Sequence, residues 1–105
     1  MINSITLIGN LATDPELKDV GETQMCRFRL ATNEYIGKNP DGTKKELAQF
    51  HTVEVWGNQA VSCKNILEKG KRAYVIGSLR NEEYINKDGQ PVRAYKVRAN
   101  DVKFL

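Results

Sequence analysis

The chain has 105 residues, room for one compact domain with a modest core and too little for two. Its 40% hydrophobic and 28% charged residues, with only three Pro, exclude a disordered or low-complexity chain. A net charge of +3 favours an acidic partner without by itself announcing nucleic acid.

The opening Met1-Ile2-Asn3-Ser4-Ile5-Thr6 carries no export signal, and no apolar run in the chain reaches membrane-spanning length. Cys26 and Cys63 lack CxxC spacing and read as buried reduced thiols, which suits a cytoplasmic protein. Ser4 to Asn10 reads as a first strand, with Ile5 and Leu7 alternating against Thr6 and Ile8, and Asp14-Pro15 marks a turn. From Thr23 to Thr32 the alternation predicts a half-buried strand: Cys26, Phe28 and Leu30 face inward, Met25, Arg27 and Arg29 outward. Asn33 to Leu47 is polar around Asn39-Pro40-Asp41-Gly42 and predicts a long hairpin tip that carries Lys38, Lys44 and Lys45.

Ala48 to Trp56 predicts the next strand, with His51, Val53 and Val55 on one parity and Phe50, Thr52, Glu54 and Trp56 on the other. Asn58 reads as the cap of one short helix through Ala60, Cys63 and Leu67, stopped at Lys69-Gly70. Arg72 to Asn81 returns to β-prone residues, Lys87-Asp88-Gly89-Gln90 predicts a hairpin turn, and a last strand runs from Val92 to Phe104. The expected fold is all-β: a single OB-fold domain over residues 1–105, a five-stranded Greek-key barrel with one short helix between strands 3 and 4. Gly9, Gly57 and Gly77 stand where such a barrel needs corners.

Catalytic patterns are scarce, so no enzyme, cofactor or metal is expected. His51 has no second histidine and no patterned nucleophile, and its inward parity reads as a structural or subunit-interface role. No phosphate-cradling GxxxxGK[ST] loop is present. The outward parity of Phe50 and Trp56 is the informative feature, because large aromatics left in solvent suit base stacking, which needs no sequence readout. Tyr84 is a further candidate platform, whereas Tyr74, Tyr95 and Phe28 read as core. Arg27, Arg29, Lys38, Lys44, Lys45, Lys69, Arg80, Lys96 and Arg98 are the candidate phosphate contacts.

Several ordered segments are similar to one family. They are Ile8-Gly9-Asn10-Leu11 with Asp14-Pro15-Glu16-Leu17, Phe28-Arg29-Leu30-Ala31-Thr32, Phe50-His51 leading to Trp56-Gly57, and Tyr74-Val75-Ile76-Gly77-Ser78-Leu79-Arg80, with Asp88-Gly89-Gln90. From Asn3 to Leu105 the chain resembles the single-stranded DNA-binding proteins of bacteria, phages, plasmids and mitochondria.

The resemblance implies an OB-fold subunit assembled as a homotetramer, with a dimer as the alternative, that binds and protects single-stranded DNA in replication, recombination and repair. It maps the DNA path onto Phe50, Trp56 and Tyr84. Where relatives carry a tryptophan this chain has Ile36, with Tyr35 just before it as a candidate substitute. Glu82 and Glu83 stand where relatives often carry basic residues. Relatives typically continue into an acidic tail that recruits replication and repair proteins. This chain stops at Leu105, read as a naturally tailless relative or a core alone. The implied location is the cytoplasm, on the nucleoid, or the host's cytoplasm for a phage protein. Two other readings stay open: a primosomal OB-fold adaptor that contacts another replication protein, and an RNA-binding β-barrel.

Overall fold

A computed structural model describes residues 1–105. Its elements are β1 (Ile5–Leu11), β2 (Glu16–Val20), β3 (Thr23–Lys38), β4 (Lys44–Trp56), α1 (Asn58–Ile66), β5 (Arg72–Ile85) and β6 (Pro91–Phe104). The sheet runs β1-β5-β6-β4-β3-β2, and a further β1–β3 pairing, Asn10 to Ala31 and Leu11 to Leu30, closes it into a ring. This is the expected barrel, with the helix between the third and fourth of its five long strands. β2 is an added short strand, folded back antiparallel onto the start of β3 beyond the Asp14-Pro15 turn.

Closure depends on close backbone approach at two glycines. A Cβ on Gly9 would sit inside the van der Waals radius of the Ala31 carbonyl on β3, and one on Gly77 would meet the Arg98 carbonyl on β6. The β5–β6 register shifts at Ile76/Gly77, the bulge expected at a barrel corner. Gly57 serves differently: it stands at the N-cap of α1 with φ 81°, and Asn58 is the first helical residue rather than the cap.

The core follows the inward parity. Cys26, Phe28 and Leu30 of β3 meet Val53 and Val55 of β4, Val75 of β5 and Val97 of β6, and α1 covers one end with Ala60 and Cys63. Three inward and outward assignments change. Tyr74, expected in the core, is half-buried on the outer parity of β5, opposite the exposed Ile8 and between the buried Ala73 and Val75. Met25 is buried, placed opposite Trp56 by the β3–β4 register. Tyr95, expected in the core, is exposed, because β6 there has left the barrel.

The polar stretch from Asn33 to Leu47 is also mostly strand. β3 and β4 continue as a two-stranded arm to a turn at residues 39–43. β5 and β6 form a second arm that ends at residues 86–90. Both faces of each arm meet solvent, so neither needs apolar residues at alternate positions, and the sequence there resembles a loop.

Candidate nucleic-acid interface

Directly opposed residues in paired strands share a face, so the register fixes what lies beside what. Across β3 and β4, Arg27 opposes Glu54, Arg29 opposes Thr52, Ala31 opposes Phe50, and Tyr35 opposes Glu46. Glu54 in turn lies beside Arg98 in the parallel β4–β6 pair. On β5 and β6, Ser78 opposes Arg98, Arg80 opposes Lys96, and Tyr84 opposes Val92. All four candidate aromatics, Tyr35, Phe50, Trp56 and Tyr84, therefore lie on one outer face together with Arg27, Arg29, Arg80, Lys96 and Arg98.

Phe50, Tyr35 and Tyr84 are more than half exposed, and Trp56 is half-buried beside Met25. Two of the aromatics are already under cations. The Arg29 guanidinium carbon lies 5.1 Å from the Phe50 ring centroid, and that of Arg98 lies 5.5 Å from the Trp56 ring. This geometry orients each guanidinium and leaves its N–H donors at the edge of a π surface. Tyr35 keeps the parity of Phe50 because the β-bulge falls after it, between Tyr35 and Gly37.

The centre of this face holds a charge ladder that the sequence reading did not identify. Glu54 is 2% exposed. Its Oε2 accepts from Arg27 Nη2 at 2.6 Å and Nε at 3.1 Å, and its Oε1 accepts from Lys96 Nζ at 2.8 Å. Lys96 also donates to Glu82 at 2.6 Å. Burial by itself would raise the Glu54 carboxyl; the hydrogen bonds and charges of Lys96 and Arg27 outweigh it and hold the group below the usual carboxylate range. Burial likewise works against the Lys96 ammonium, and Glu54 and Glu82 together push it above its usual value. The one advance signal was a carboxylate between Val53 and Val55, in the part of β4 closest to the core.

The acidic pair on the second hairpin is neutralised locally, Glu82 by Lys96 and Glu83 by Arg93. The remaining candidates lie elsewhere. Lys38, Lys44 and Lys45 stand at the tip of the first arm. Lys69 sits in the turn after α1, where its backbone N–H donates to the Asp14 carboxylate. His51 is half-buried on the opposite parity, its Nε2 2.9 Å from the Thr32 hydroxyl.

Among known proteins, the sequence model described as "Single-strand binding protein family" matches residues 2–105. The chain is 39% identical to "Single-stranded DNA-binding protein 2" of Clostridium acetobutylicum, over 99% of its own length and 77% of the relative's. It is 40% identical to "Single-stranded DNA-binding protein 2" of Staphylococcus aureus, over 100% of its length and 73% of that protein's. With "Single-stranded DNA-binding protein A" of Bacillus subtilis it shares 36% identity and spans 60% of that protein. The fold is similar to a solved structure described as "Plasmodium falciparum SSB complex with ssDNA", with TM-score 0.87 and 29% identity over 100% of this chain and 96% of that one.

Proposed function

The chain belongs to the single-strand binding protein family, and on that premise we propose that it binds single-stranded DNA without sequence preference and protects it during replication, recombination and repair. The observation that carries this reading is the shared outer face: exposed aromatics from both arms and the barrel wall, with guanidinium groups held over two of the rings. Every base has a π-face, so Phe50, Trp56, Tyr84 and Tyr35 stack bases in any order. Arg29, Arg80 and Arg98 accompany the phosphates, and the lysines of the first arm extend the positive track. The role is binding rather than catalysis.

The functional protein is a homo-oligomer, a tetramer in this reading. Leu47 is exposed and shares with His51 the face of β4 opposite Phe50, and Ile8 is exposed on β1, so subunits can meet without covering the aromatic track. The decisive experiment is a fluorescence titration of Trp56, the sole tryptophan. Oligo-dT should quench it, with affinity that falls as salt rises, and matched RNA should compete weakly. Emission that ignores oligo-dT at low salt would refute the reading, and equal or better competition by RNA would transfer it to an RNA-binding barrel.

A further inference from the structure

Five cations share the outer face, but they are not equivalent. Arg27 and Lys96 close on the buried Glu54, and Lys96 closes again on Glu82, so the ladder crosses β3, β4, β6 and β5 with two positive and two negative charges. No buried polar side-chain atom on it lacks a partner. Two shallow grooves of about 290 and 270 Å³ flank the ladder, and Glu54, Glu82 and Lys96 belong to the walls of both. Arg29, Arg80 and Arg98 have no carboxylate partner and stand around this neutral centre.

We propose that Glu54 is a positioning residue for the nucleic acid: by engaging Arg27 and Lys96 internally it keeps phosphates off the centre of the face, so that bases cross the centre while phosphates run past Arg29, Arg80 and Arg98. A phosphate approaching Arg27 or Lys96 meets a cation whose charge is already satisfied and a carboxylate directly behind it, whereas an uncharged base meets neither penalty. The stacking rings of Phe50 and Trp56 lie on either side of Glu54 along β4, where bases crossing the centre would need them. The inference rests on the DNA-binding reading above and deepens it, because it divides the cations of the face into phosphate contacts and structural partners.

The test is the slope of log affinity for oligo-dT against log salt concentration. Each phosphate contact on a single strand adds about 0.7 to that slope. Glu54→Gln keeps the size of the side chain but removes its charge and one of its two acceptor oxygens, which frees one or both cations, so the slope should steepen by about 0.7 to 1.4 and low-salt affinity should rise. Lys96→Gln should leave the slope unchanged, whereas Arg80→Gln should lower it by about 0.7. A Glu54→Gln protein that melts like the parent and shows an equal or shallower slope overturns the proposal. If that variant does not fold, Lys96→Gln decides: a slope lowered as far as by Arg80→Gln overturns it. Parent protein that fails to bind oligo-dT refutes the DNA-binding reading itself, whereas tight binding with those contrary slopes refutes only the role of Glu54.

Discussion

Truncation of Phe50 to alanine separates stacking from charge most cleanly. The ring is 52% exposed, faces only Ala31 across the strand pair, and is absent from the core. Its main loss in the free protein is the Arg29 contact, worth about 0.5–1 kcal/mol at an exposed site, so the melting temperature should fall by a few degrees at most. Loss of one base stack costs about 1–3 kcal/mol, which corresponds to affinity for oligo-dT weakened roughly 5- to 150-fold. No charge is removed, so the salt slope should stay that of the parent, and Phe50→Tyr should restore most of the affinity. Trp56 quenching at several salt concentrations, paired with a thermal melt, measures all three quantities. Affinity changed by less than about twofold would refute the stacking role, and a deficit that vanishes at one end of the salt range would assign the ring an electrostatic role instead.

Gly9→Ala should destabilise the barrel by about 1–3 kcal/mol, because the new methyl meets the Ala31 carbonyl and only backbone movement relieves it; a melt within a degree of the parent would contradict that closure geometry. Glu54 has a folded carboxyl value below its unfolded one, near 4.3, so its contribution is complete above that pH and is lost as pH falls through the lower folded value. Urea midpoints should therefore drop between pH 5 and 3 by more in the parent than in Glu54→Gln, and parallel curves would remove Glu54 from the acid response. Burial pushes the Cys63 thiol up to about 12 and raises Cys26 as well, so neither should react with a thiol reagent at pH 8 until the chain is denatured, when both should; native-state labelling at the denatured rate would show the core to be open.

Alternation in residues 23–32 and 48–56 was enough to identify the core side chains Cys26, Phe28, Leu30, Val53 and Val55, and to set Phe50 and Trp56 on the outer face. Period-two patterning records burial on one side of a strand, and these segments form the barrel wall. The same logic explains what stayed hidden. The arms carry no alternation because both their faces are wet, so Asn33 to Leu47 resembled a loop and Tyr95 resembled core. Met25 has the parity of a surface residue, yet it is buried between Trp56 on β4 and Lys18 on β2.

The charge ladder lies furthest from the sequence. Arg27, Glu54, Glu82 and Lys96 come from four different strands, and as residue types they are ordinary surface charges. The sequence alone determined that aromatics and cations share the outside of a small barrel, because that is a property of single strands and their parity. Which of those cations is left without a carboxylate partner was decided only when strand register brought Glu54 between two of them, since the pairing of charges depends on distances of a few ångströms between residues far apart in the chain.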